Sequence, residues 1–184
     1  YHNTRIHSLD PAEVEAVQLA AMNLRLAERR GQVQMLGKLA DGQGIDAVGS
    51  LDAMAPLLMP HDIYKSYPVS LLAKQKFDKL GQWLGKLTRH DISGVDVSAC
   101  DSIDSWLTKI RDETPLDVGA SSGSSGTASF YPKSKRDYFL SMMGLRVQLA
   151  QKFGEDPRPG DIEDKIHAII PLYKDGHASM GAFG

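Results

Sequence analysis

The chain has one cysteine, Cys100, in 184 residues, so it has no internal disulfide and fits a reducing, cytoplasmic compartment. No apolar run reaches the length of a membrane span. Neither sign of charge dominates. The net charge is −2 with no basic stripe, which removes the electrostatic footprint of a nucleic-acid binder. Six histidines are present, yet none stands at a metal-ligand spacing such as H-x-x-x-H or in a Cys/His cluster. Internal repeats, heptads, a signal peptide and an initiating methionine are also lacking; the opening Tyr1-His2-Asn3-Thr4-Arg5 reads as the start of a trimmed or partial chain. What remains is ordinary globular stock, 42% apolar and 24% charged.

Two phosphate-binding signatures are missing as well. No lysine follows Gly126 to complete G-x-x-x-x-G-K-[ST], and no G-x-G-x-x-G dinucleotide fingerprint occurs. What stands in their place is Ser121-Ser122-Gly123-Ser124-Ser125-Gly126-Thr127, four serines, one threonine and two glycines in a row. It follows an alternating segment, Leu116–Ala120, that reads as a strand, and precedes a second short apolar run, Ala128–Tyr131. Glycine allows backbone N–H groups to approach a ligand closely, and the hydroxyls add donors. Successive N–H groups turned inward suit an anion, phosphate above all. Two other readings stay open at this point. A flexible Gly/Ser connector has the same composition. Gly119-Ala120-Ser121-Ser122-Gly123 also fits the G-x-S-x-G elbow of serine hydrolases, with Ser121 as nucleophile and His167 or His177 as base.

Around this stretch the pattern is mainly helical. Asp10-Pro11-Ala12-Glu13 is a helix start, with Asp as N-cap, Pro at the first helical position and Glu at the third. Val14, Val17, Ala21 and Leu24 follow as its apolar stripe, and the helix is predicted to run past Gly31 towards Leu39, ending by Asp41-Gly42-Gln43-Gly44. A helical turn is predicted at Leu51–Ala55. Leu72, Phe77, Leu80, Trp83, Leu84 and Leu87 predict one helix over Ser70–Thr88. Ser93–Ala99 reads as a turn-rich connector. Asp101 or Ser102 then caps a helix with Ile103, Trp106, Leu107 and Ile110 on its buried side, ending near Thr114-Pro115. Pro132 is taken to separate the second strand from a last helix over Ser134–Phe153, with Tyr138, Met142, Leu145, Leu149 and Phe153 inward and Gly154 after its end. Lys165–Leu172 reads as a buried strand, with a turn at Asp175-Gly176-His177.

The serine loop resembles the Ser/Thr/Gly-rich phosphate loop of the adenylate-forming superfamily, which holds the acyl-CoA synthetases and adenylation domains. Leu57-Leu58-Met59-Pro60-His61-Asp62-Ile63-Tyr64-Lys65-Ser66-Tyr67-Pro68 and Ile169-Ile170-Pro171-Leu172-Tyr173-Lys174-Asp175-Gly176-His177 are two further blocks similar to the branch of phenylacetate-CoA ligases and luminescence acyl-protein synthetases. The resemblance covers roughly residues 51–180. Thr127 stands where the family often has a lysine, and Ser124 and Ser125 where threonines are usual. No later block of the family is present.

The resemblance implies an α/β protein: a helix-rich region over 1–114, then over 115–184 the beginning of a nucleotide-binding core with a mixed sheet flanked by helices. It implies the front part of an enzyme that activates a carboxylic acid with ATP and Mg²⁺, forming an acyl-adenylate and passing the acyl group to a thiol, CoA or a protein cysteine. Ser121, Ser122, Gly123, Ser124, Ser125, Gly126 and Thr127 would hold the phosphates. For Tyr64 and Tyr67 packing is the favoured role, and for Lys65 a surface amine.

Overall fold

The structure, a computed structural model, describes residues 10–121 and 127–153, with 145–153 described by backbone alone. Its elements in order are α1 (Pro11–Arg29), α2 (Gln34–Gln43), α3 (Ser70–Ala73), α4 (Phe77–Leu84), α5 (Ile103–Glu113), β1 (Leu116–Ala120), β2 (Phe130–Ser134) and α6 (Lys135–Phe153), with short 3-10 turns at Asp52–Leu57, His61–Lys65 and Gly85–Leu87. Among the described residues it is a helix-rich α/β arrangement around one two-stranded antiparallel sheet.

Helix α1 begins as its sequence dictates: Asp10 Oδ1 accepts from the Ala12 N–H at 2.8 Å and Pro11 occupies the first turn. Its buried face is not the predicted one. Val17 is 70% exposed and Leu24 61%, whereas Leu26 is buried and Leu19 packs beside it. Polar anchors decide the rotation. Asn23 donates to the Val48 carbonyl at 2.9 Å and accepts from the Val48 N–H at 2.8 Å, and Arg30 pairs with Asp41 and Asp46. The helix ends at Arg29 and a second begins at Gln34 after a turn, so the predicted run to Leu39 is two helices. Gly37 permits the close return, since a Cβ there would stand 2.6 Å from the Arg30 carbonyl oxygen. Helix α2 stops at Gly44, which takes the left-handed conformation at φ 65°.

The helix expected over Ser70–Thr88 is likewise divided. Gln75, with no glycine or proline nearby to announce it, sits at φ 51° between α3 and α4. The apolar positions still turn inward: Phe77, Leu80, Trp83, Leu84 and Leu87 are all buried. The connector at 93–99 is built from two Asx turns, Asp91 accepting from Ser93 N–H and Asp96 from Ser98 N–H. Ser102 caps α5 in a reciprocal box with Ser105, and Trp106, Leu107 and Ile110 are buried as predicted.

Strand β1 matches its predicted bounds, and its burial alternates from Leu116 through Val118 to Ala120. Strand β2 does not: it runs from Phe130 to Ser134 and carries Pro132 opposite Val118 rather than stopping before it. A proline is tolerated on an edge, where its missing N–H costs no ladder bond. Ser134 then serves as the cap of α6, so strand and helix follow without a loop. Of the inward residues expected on α6, Tyr138 and Met142 are half-buried, and the others lie outside the described side chains. The predicted Gly154 cap and the Lys165–Leu172 strand lie outside the described residues.

Two apolar clusters hold the molecule. The larger gathers Tyr67, Phe77, Leu80, Trp83, Leu84, Trp106, Leu107, Ile110, Leu116, Val118 and Phe130 among others, drawing on chain from both sides of residue 114. The smaller joins Leu26, Ala40, Val48 and Leu57. Met35 of α2 packs against the larger one.

Candidate functional site

The serine stretch is the connection of a β-hairpin. With Ala120 opposite Phe130, β1 delivers the chain to Ser121 and β2 takes it back from Ser129. Two hydrogen bonds close the base: the Ser121 N–H donates to the Ser129 carbonyl at 2.9 Å, and the Ser129 N–H donates to Ser121 Oγ at 2.8 Å. Of the residues expected to hold phosphate, Ser121 and Thr127 are described, both half-buried. Ser122, Gly123, Ser124, Ser125 and Gly126 lie outside the described residues. Ser121 is thus placed as a clasp at the neck, its hydroxyl oxygen facing the Ser129 amide.

The return end of the loop is anchored in aromatic rings. Phe130 is fully buried, with Trp106 edge-on at 5.3 Å between ring centroids, Tyr67 at 5.5 Å and Trp83 at 6.4 Å. With aromatics only 7% of the chain, the gathering of four of them where the chain leaves the loop is a local concentration.

The Pro60–Pro68 block meets the loop in space. Tyr67 Oη donates to the Ala128 carbonyl at 2.7 Å, across 61 residues of sequence, and the Tyr64 ring lies 5.0 Å from that of Tyr131. Trp83 Nε1 donates to Ser66 Oγ at 3.1 Å, tying the same block to α4. Burial raises both tyrosine hydroxyls above their ordinary pKa, so they remain protonated donors. Tyr67 packs, as expected, at 3% exposed. The sequence did not reveal that its hydroxyl also grips the loop's exit; the only signal was the block's similarity to a family pattern. Lys65 Nζ stands 3.2 Å from Asp62 Oδ1, with its side chain 29% exposed.

The chemistry available at this neck is neutral. The described closing residues carry no cation, and the Ser121 and Ser129 amides are spent on the two bonds that close the neck. The third block, Ile169–His177, and the histidines His167 and His177 lie outside the described residues. Elsewhere, a cleft of about 320 Å³ is bounded by Phe77, Gly81, Ile92 and Trp106, with Asp78 and Asp91 on its rim. Two carboxylates make it a poor receptor for a carboxylate ligand. Among the described residues no cluster of His, Cys, Asp and Glu gathers as a metal site, and no helix is long and apolar enough to cross a membrane. Compared with known protein families, curated proteins and solved structures, the chain matches none.

Proposed function

We propose that residues 51–180 are the front part of an ATP-dependent carboxylic acid-activating enzyme, with the hairpin connection Ser121–Thr127 as its phosphate loop and the two-stranded sheet as the start of a larger nucleotide-binding core. The observation that carries this reading is the Tyr67 Oη bond to the Ala128 carbonyl. Two sequence blocks similar to the adenylate-forming enzymes, far apart in the chain, meet at the loop.

In the proposed reaction a carboxylate oxygen attacks the α-phosphorus of ATP. A C–O–P bond forms as the bond to pyrophosphate breaks. A thiol, of CoA or a protein cysteine, then attacks the acyl carbon and AMP leaves. Mg²⁺ would arrive with the nucleotide and offset phosphate charge. The chain's own contribution is to position the β- and γ-phosphates with the amides of Gly123–Gly126 and the hydroxyls of Ser122, Ser124, Ser125 and Thr127. Ser121 holds the neck that sets their direction. Positioning and preorganised donors are the principal means of catalysing such transfers.

The test is carboxylate-dependent exchange of pyrophosphate into ATP, run on the longest parent chain against a panel of aliphatic, aromatic and protein-bound acids. Exchange with one acid class, lost in Ser124→Ala/Ser125→Ala, supports the reading; silence across the panel from a folded parent overturns it. Covalent labelling of Ser121 by a fluorophosphonate would instead assign a serine hydrolase. The 184-residue chain alone is expected to be inactive in exchange, because the resemblance stops before the family's later blocks.

A further inference from the structure

A cleft rich in arginine lies at the other end of the sheet. A cleft of about 610 Å³ opens between the end of α1, the turn Thr88-Arg89-His90 and the start of α6. That volume falls within the range of small-ligand pockets, roughly 300–1,000 Å³. Four arginines from three separate parts of the chain converge on it: Arg25 and Arg29 from α1, Arg89 from the turn and Arg136 from α6. Arg25 and Arg29 share a helix face by their spacing of one turn. In a chain of net charge −2, such convergence is local segregation.

The cleft's two acids, Glu28 and Asp137, offset half of the four positive charges, and a net positive charge remains. Asp137 is engaged in capping α6, accepting from the Ser134 N–H at 3.0 Å and from Ser134 Oγ at 2.6 Å. Glu28 stands 3.6 Å from Arg29, whose Nη1 also donates to Gln32. Among the described residues, Arg25, Arg89 and Arg136 have no carboxylate within ion-pair distance. Arg30, by contrast, pairs with both Asp41 and Asp46 outside the cleft. Guanidinium forks match phosphate oxygens two at a time.

We infer that this arginine cleft is a binding site for a polyphosphate group, free or carried by a nucleotide, distinct from the serine loop. The sheet register separates the two. The loop leaves at the Ala120–Phe130 pair, whereas β2 lines the cleft with Pro132 and Ser134, opposite Val118 and Leu116, two to four positions or about 7–13 Å along the strands. The inference is independent of the proposed adenylation chemistry.

His90 lies in the cleft and reports on it. Burial lowers its pKa first, Arg89 and Arg29 lower it further, and Asp137 partly offsets them. An anion bound among the arginines reverses the sign of the local field, so the His90 pKa rises. The experiment is an NMR titration of the His90 imidazole in the whole chain with inorganic tripolyphosphate, repeated with ATP. Saturable binding that raises the His90 pKa is expected. Arg89→Ala/Arg136→Ala should weaken binding by at least about tenfold, since both residues are exposed and the fold should be retained. Lys133→Ala/Lys135→Ala removes the same charge from neighbouring exposed positions outside the cleft and should change binding by less than about twofold. Ser124→Ala/Ser125→Ala should leave the His90 response intact, which separates this site from the loop. A response to both probes supports a site for polyphosphate in either form, and a response to tripolyphosphate alone supports one for the free ion. No His90 response to tripolyphosphate, or equal losses in the arginine and lysine pairs, overturns the inference.

Discussion

Tyr67 joins two chemistries in one side chain. Its ring is buried against Trp83 at 4.9 Å, while its hydroxyl donates to the carbonyl at the loop's exit. Tyr67→Phe keeps the ring contacts and leaves the Ala128 carbonyl without that donor. The expected cost is about 1 kcal/mol in urea denaturation, the net worth of one part-buried hydrogen bond. A variant as stable as the parent would show that solvent satisfies the carbonyl instead. Glycines 37 and 42 provide a sharper contrast within one helix. A methyl at position 37 meets the Arg30 backbone oxygen at 2.6 Å, whereas one at position 42 meets nothing within 4 Å. Gly37→Ala should destabilise by about 1–3 kcal/mol. Gly42→Ala should stabilise by about 0.5–1 kcal/mol through helix propensity alone. Opposite shifts in melting temperature check both.

At the element scale, α6 starts in a reciprocal cap. Ser134 and Asp137 cap each other, with the Asp137 N–H donating to Ser134 Oγ at 3.0 Å. The Ser134 hydroxyl holds the Asp137 carboxyl below its ordinary pKa, burial opposes this, and Arg89 and His90 add to the lowering. A depressed carboxyl contributes stability that is complete above its unfolded-state value and lost as pH falls through the lower folded value. Ser134→Ala should therefore cost about 1 kcal/mol near neutral pH. The gap between variant and parent should narrow in acid, and a gap unchanged by acid would assign the cost to lost packing. Elements with local punctuation were legible in the sequence: the Asp10-Pro11 start, the Ser102 cap, the Thr114-Pro115 stop and strand β1. Gln75 carries no such mark, and its left-handed backbone divides a helix that periodicity joins. On α1 the sequence holds apolar residues on two sides, and distant partners, the Val48 backbone for Asn23 and Asp41 and Asp46 for Arg30, go with the side that is buried. Strand β2 runs past the boundary that Pro132 suggests, because an edge strand accommodates proline. For the candidate site, the loop and the Tyr67 block were each visible as sequence, but their contact was not.

Across the whole molecule, stability should be unequal. The smaller cluster rests on Leu26, Ala40, Val48 and Leu57, while the larger one stacks two tryptophans, Phe77, Phe130 and several leucines over the sheet. Local opening follows the density of buried apolar contact. Backbone amides near Leu26 and Ala40 should exchange hydrogen through a partial opening, well before those of β1 and α5. Uniform protection across both clusters would mean that Met35 couples them into one cooperative unit. The latch at Ser121 and Ser129 also makes the molecule a natural display scaffold. Because Ser121 and Ser129 close the neck themselves, substitutions at positions 122–126 leave both closing groups in the sequence, like a frame that stays when its panel is changed. Libraries randomised there should share one melting temperature and differ only in what they grip.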